Sequence, residues 1–171
     1  MDKKAGGIPL PDNEAQRLAK LRIYNIAEYE QSGAFQHVAT MAARIFKVPI
    51  AFVNFVESKS VLINASVGIT GLAEVKRELG LCSLAVLQDE VTVIKNTRDV
   101  EELLANPLIA DFGLQFYAGA PVKTPDGLNI GVVAIADKRP REFTAEDEKI
   151  LEGLAAVVME ELEERLAHRS K

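Results

Sequence analysis

Cysteine is nearly absent from this sequence: its 171 residues hold one, Cys82, with two histidines and no tryptophan. One thiol cannot close a disulfide within the chain, and two histidines with one cysteine cannot build the usual structural zinc clusters. Disulfide scaffolds are excluded, and a reducing cytoplasm is the expected compartment. Long apolar runs are missing too. No stretch approaches the roughly eighteen apolar residues of a membrane span, and Lys3 and Lys4 precede no apolar run of signal-peptide length. There is no excess of positive charge: 20 basic residues face 25 acidic ones, a net charge of -5. Such a chain has no field to hold a phosphate backbone, so neither nucleic acid nor a membrane is an expected partner.

The remaining composition, 48% hydrophobic and 26% charged, is that of a globular chain with material for one sizeable core. Residues 1–11, with two glycines and two prolines, are expected as a flexible arm, and 12–168 as a single domain. Leu18, Leu21, Ile26 and Tyr29 predict a first helix over 14–29, broken by Ser32-Gly33. Phe35, Val38, Met41, Ala42, Ile45 and Phe46 predict a second, reaching to Pro49. Residues 50–56 and 60–67 read as strands. Asn54 interrupts the face formed by Ile50, Phe52 and Val56, so that face meets something more polar than a sealed core.

Residues 68–80 are expected as a long loop, 81–88 as a short helix and 91–94 as a short strand. The stretch 96–114 reads as irregular, with a helical turn or two over 100–105 and a stop at Asn106-Pro107. Thr124-Pro125-Asp126-Gly127 joins strands over 115–123 and 128–137 into a hairpin. The second strand sets Val133 and Ile135 on one face. Val132, Ala134 and Ala136 lie on the other, leaving room for a cavity or a close helix. Thr144-Ala145-Glu146-Asp147 has the form of a capping box before a long helix to about His168. This order does not alternate as a doubly wound fold requires. It predicts an α+β fold, a twisted antiparallel sheet of five or six strands with helices grouped on one face.

Local motifs sharpen this. They are Arg17-Leu18-Ala19-Lys20-Leu21 with Tyr24-Asn25-Ile26, the passage 39–55 through Ala43-Arg44-Ile45-Phe46-Lys47-Val48-Pro49-Ile50, and Leu81-Cys82-Ser83. Further on come Asn106-Pro107-Leu108, Phe116-Tyr117-Ala118-Gly119-Ala120-Pro121-Val122, and 127–137 followed by Arg139-Pro140-Arg141, Phe143 and Thr144. In order and spacing these resemble the GAF domain, a small sensory module, in the bacterial group found in histidine kinases and diguanylate cyclases. The resemblance covers roughly residues 14–160. It implies helices from the chain ends on one face of the sheet and a ligand pocket on the other, under loops and a short helix. In many members that pocket takes a cyclic nucleotide, a tetrapyrrole or another small molecule; in others it is empty.

The resemblance names no cofactor. Asn96 lacks the adjoining Lys, and the later Phe and Asp-Glu, of the cyclic-nucleotide signature. Cys82 is followed by Ser83 where bilin carriers usually have His, and His37 and His168 lie on terminal helices, away from the pocket half. Free methionine sulfoxide reductases are the enzymes of this family, and their chemistry needs a resolving thiol that Cys82 lacks. The expected function is a regulatory GAF module that performs no chemistry and binds a small molecule or, in trans, a signalling protein. The alternatives are a redox-active thiol at Cys82, reductase-like or sensory, with Lys76 and Arg77 nearby in sequence, and a purely structural dimerisation domain.

Phe52, Asn54, Cys82, Ile109, Phe112, Tyr117 and Ala134 are the expected ligand-binding residues. Asp137 is expected to cap the loop that follows it, or else to face the cavity mouth. A homodimer is expected through the terminal helices, because Leu162 and Leu166 stand among acidic residues and need cover, with Leu18 and Leu21 offering a neighbouring surface. The competing arrangement folds Leu162 and Leu166 onto the same chain's first helix.

Overall fold

The structure, a computed structural model, describes residues 4–5, 8–26, 35–69, 72–103 and 106–169. Segment 1–11, expected as a flexible arm, contains a short ribbon in which β1 (Lys4–Ala5) pairs antiparallel with β2 (Ile8–Pro9). Next come α1 (Glu14–Ile23) and α2 (Gln36–Phe46). The first helix is shorter than its apolar spacing suggests: Asn25 takes a φ of 52°, which a helix cannot continue through. The expected break at Ser32-Gly33 lies outside the described residues. α2 buries Val38, Ala39, Ala42 and Ala43 on one stripe, and Lys47 ends it with a left-handed φ of 54°.

The chain then enters β3 (Ile50–Val56), β4 (Ser60–Val67) and β5 (Glu74–Lys76). A 3₁₀ turn at Arg77–Leu79 leads to α3 (Cys82–Ala85), β6 (Thr92–Ile94) and α4 (Pro107–Phe112). The chain closes with β7 (Phe116–Lys123), β8 (Asn129–Asp137) and α5 (Ala145–Arg169). The strands form one antiparallel six-stranded sheet in the order β5-β4-β3-β8-β7-β6, the expected α+β architecture.

Two segments differ from expectation. The 68–80 loop contains β5, which pairs Lys76 with Ser60 at the sheet edge. Three residues are too few to show an alternating pattern. Asn106-Pro107 opens a helix where a stop was expected. Pro107 loses no bond at the first helical position, and Asn106 Oδ1 accepts from the Ile109 amide at 3.4 Å.

The sheet separates two apolar clusters. On the helical side Val53, Phe55, Val133 and Ile135 meet Leu21, Ala39, Leu151 and Val158. On the other side Ile50, Phe52, Val132, Ala134 and Ala136 meet Leu81, Cys82 and Ile109. The capping box is formed on both sides: the Asp147 amide donates to Thr144 Oγ1 (3.1 Å) and the Thr144 amide to Asp147 Oδ2 (2.9 Å).

Leu162 and Leu21, expected at a dimer interface, are closed inside the chain's own helical-side cluster, with Leu18 and Leu166 half-buried against it. The physical reason is that α5 packs on the sheet beside α2, in the cluster that also holds Leu21, and the Tyr24 hydroxyl just after α1 donates to Glu163. Leu162 is already covered within the one chain. Among the described residues, the large apolar side chains left exposed on the helices are others: Ile23, Ile45, Ile150 and Val157.

Candidate ligand pocket

A cavity of about 50 Å³ lies on the face of the sheet away from the long helices. Five of the seven expected residues line it: Phe52, Asn54, Cys82, Phe112 and Tyr117. Ile109 and Ala134 do not. Both are buried one layer back, in the apolar cluster that supports the wall.

Sequence reasoning missed Val61 and Ile63 from β4, Val75 from β5, and Ile69, Leu72, Gly80, Leu81 and Leu114. Reading 68–80 as a plain loop hid β5 and the edge of the sheet. A second difficulty is a register shift in β4. Val53 pairs with Ala65 but Asn54 pairs with Ile63, so Asn64 is an extra residue in the ladder. Strict alternation would put Val61, Ile63 and Ala65 on one face. The bulge leaves Val61 and Ile63 with the pocket cluster and sends Ala65 to the helical side. Bulges are found beside functional sites, and this one lies opposite Asn54.

The polar end of the cavity is a three-residue cluster. Asn54 Nδ2 donates to Cys82 Sγ at 3.1 Å, and the Tyr117 hydroxyl donates to the same sulfur at 3.2 Å. Asn54 Oδ1 is buried without a partner among the described residues. Burial pushes the Cys82 thiol above its ordinary value, and the two donated hydrogen bonds offset this only in part. Burial likewise raises the Tyr117 phenol, so both groups are neutral at pH 7. Of Lys76 and Arg77, the cations near Cys82 in sequence under the redox alternative, Arg77 is taken elsewhere: its guanidinium pairs with Glu14. His37 and His168 are exposed. Asp137 is not among the residues that line this cavity. Its carboxylate accepts from the Lys138 amide (2.7 Å) and from Arg141 (2.7 Å), which caps the loop after β8.

Hydrogen bonds hold the cavity's cover in place. Ser83 Oγ donates to the Arg77 carbonyl (2.6 Å), tying α3 to the preceding turn. Asn106 Nδ2 donates to the Leu79 carbonyl (3.0 Å), and Thr97 Oγ1 donates to the Leu114 carbonyl (2.8 Å). Asn129 Nδ2 reaches from β8 to the Val86 and Gln88 carbonyls at 3.2 and 3.0 Å, pinning the exit of α3.

The GAF domain family profile matches residues 32–162, and the chain belongs to that family. A cyclic di-GMP phosphodiesterase of Pseudomonas aeruginosa is 29% identical over 153 residues, which are 88% of this chain and 26% of the relative. The chain thus spans about a quarter of the length of that curated relative. Among solved structures it is similar to a type II free methionine-R-sulfoxide reductase of Thermoplasma acidophilum. The TM-score is 0.64 and the identity 25%, over 81% of this chain and 96% of that one. The GAF domain of an Acinetobacter phosphoenolpyruvate-protein phosphotransferase shares the fold at a TM-score of 0.64 and 20% identity, over 91% and 98%.

These relatives correct one expectation. A chain that performs no chemistry was expected from the GAF resemblance, yet two of the relatives carry the names of enzymes. Membership of the family therefore does not set this chain apart from catalysis. Among the described residues no helix is long and apolar enough to cross a membrane, and no group of His, Cys, Asp and Glu could hold a metal ion.

Proposed function

We propose that this GAF domain is a sensory module of a signalling system and that a small molecule taken into the cavity beside Asn54, Cys82 and Tyr117 is its signal. The observation that carries the reading is an apolar cavity whose wall includes an unmet buried acceptor, Asn54 Oδ1, in the middle of an otherwise apolar strand. A sealed core would favour valine or isoleucine at that position, because a buried amide with an orphaned oxygen costs stability. Convergent polar groups in an apolar pocket are how small-molecule sites fix orientation. The cover is also placed to respond. Residues 77–85 line or flank the cavity and are tied through Arg77 to Glu14 at the start of α1.

Native mass spectrometry of freshly purified protein tests this. The expected spectrum has a non-covalent mass increment that is absent in Leu72→Trp, where a ring at the half-buried rim fills the mouth. A bare mass in the wild type, with no uptake from a panel of small apolar molecules, would overturn the reading.

A further inference from the structure

The side chains around the cavity restrict what it can accept. The lining carries neither a cationic nor an anionic side chain among the described residues. A charged group entering would lose its hydration and gain no counter-ion. The guanidinium closest in sequence, on Arg77, is held by Glu14 and by the Glu57 carbonyl (3.2 Å). Three lining residues have polar side chains: Asn54, Cys82 and Tyr117. The Tyr117 hydroxyl and one N–H of Asn54 Nδ2 donate to Cys82 Sγ. Among the described residues, the one side-chain oxygen or nitrogen of the lining that is buried without a partner is Asn54 Oδ1, on a residue only 4% exposed. Native structures meet such buried oxygens with a donor, from protein, water or ligand.

We infer that the pocket takes an uncharged, mainly apolar small molecule whose single O–H or N–H donor is received by Asn54 Oδ1 beside Cys82. This rests on the reading of the cavity as a ligand site and adds the chemical class of the ligand. Size is a second restriction. The volume of about 50 Å³ is well below the roughly 150 Å³ of an engineered apolar cavity that binds benzene. The inner space therefore seats the donor end and a few heavy atoms. The rest of the molecule leans on the half-buried rim formed by Ile63, Leu72, Val75 and Phe112.

Phenol, fluorobenzene and benzoate separate the possibilities, because they share a ring and differ at one substituent. Phenol offers an O–H donor, fluorobenzene has nearly the same shape without one, and benzoate carries a charge. Each is titrated into the ¹⁵N-labelled full chain, followed by amide chemical shifts of lining residues. Phenol is expected to bind at least tenfold more tightly than fluorobenzene, and benzoate is expected to give no saturable shifts. In Asn54→Leu the preference for phenol should vanish while fluorobenzene still binds. If that variant does not fold, the wild-type comparison decides alone. Equal affinity for phenol and fluorobenzene means that water meets Asn54 Oδ1; this overturns the inference and leaves the pocket reading standing. Saturable binding of benzoate overturns the uncharged class. Failure of all three to bind overturns the inference together with the ligand-site reading.

Discussion

Arg77 and Glu14, 63 residues apart, meet in a forked ion pair in which Arg77 Nη2 donates to Glu14 Oε1 at 3.0 Å. The same carboxylate accepts from Arg17, through Nε at 2.9 Å and Nη2 at 3.2 Å. Arg17 Nη1 continues to the Val56 carbonyl at 2.7 Å, at the end of β3. Both guanidiniums are almost fully buried, and one carboxylate serves them together. The first helix is thereby fastened to the turn that carries the cavity's cover. Neither arginine could be buried at this depth without that anion.

Glu14→Gln should lower stability at pH 7 by about 2 kcal/mol, less than the roughly 3–5 kcal/mol of a fully sealed pair because the carboxylate keeps some contact with water. Burial alone would raise the Glu14 carboxyl, but the hydrogen bonds and charges of Arg77 and Arg17 outweigh it and hold it below its ordinary value. A carboxyl lowered by folding gives stability that is fully present above its unfolded value, about 4.3, and lost as pH falls through the folded value. The gap between wild type and variant in urea unfolding should therefore close in acid. A gap that is constant from pH 7 to pH 3 would contradict the ion-pair account.

For Cys82 the sign is opposite. Folding raises the thiol, chiefly through burial. Its contribution is fully present below the unfolded thiol value, about 8.5, and lost as pH rises through the folded one. Between pH 7 and pH 10 the melting temperature of the wild type should fall further than that of Cys82→Ala. Parallel curves would show that the thiol is not the buried neutral group described above.

Two turn glycines should respond differently to alanine. Gly127, in the hairpin, has a φ of 89° and nothing near its missing side chain. Gly68 has a φ of 85°, and a Cβ there would lie 2.0 Å from the Pro49 carbonyl oxygen. Gly127→Ala should cost about 1 kcal/mol, from backbone strain alone. Gly68→Ala should cost at least 2 kcal/mol more by rough addition of the steric clash. Denaturant midpoints measure both, and equal losses would mean that the backbone at Gly68, just after β4, can yield.

Leu162→Glu should destabilise the fold by about 3 kcal/mol or more, since it puts a carboxylate into a closed apolar cluster. Val157→Glu, one or two turns earlier and 41% exposed, should stay within about 0.5 kcal/mol. Comparable effects of the two in urea unfolding would mean that α5 is not packed as described.

Much of the fold was legible because its signals are local and repeated. The stripe Val38, Ala42 and the alternation of Val133 and Ile135 against Val132, Ala134 and Ala136 each assign a face without knowledge of any partner. Thr144 and Asp147 bond to each other as their spacing implies. Asn54 stood out as the one polar residue of an apolar run. The rest depended on distant partners. β5 exists because the edge of β4 is there to be paired. The burial of Arg17 and Arg77 needs Glu14, and the cover over Leu162 comes from a cluster of residues far off in the chain. The displaced face of Ala65 follows from a bulge that no periodicity announces.

The strand order has a consequence for how the chain is made. β3 is flanked by β4, its immediate successor, and by β8, which begins at Asn129, so one edge of the sheet's central strand is completed only after about 70 further residues have been added. At about 5–20 residues per second the ribosome takes several seconds to deliver them. Through that interval the apolar run from Ile50 to Val56 offers an unpaired edge to any neighbouring nascent chain. On a polysome, the vulnerable moment of this protein precedes the arrival of β8. Conditions that slow elongation between Val56 and Asn129 should therefore lower the yield of soluble protein more than the same delay placed after Asp137.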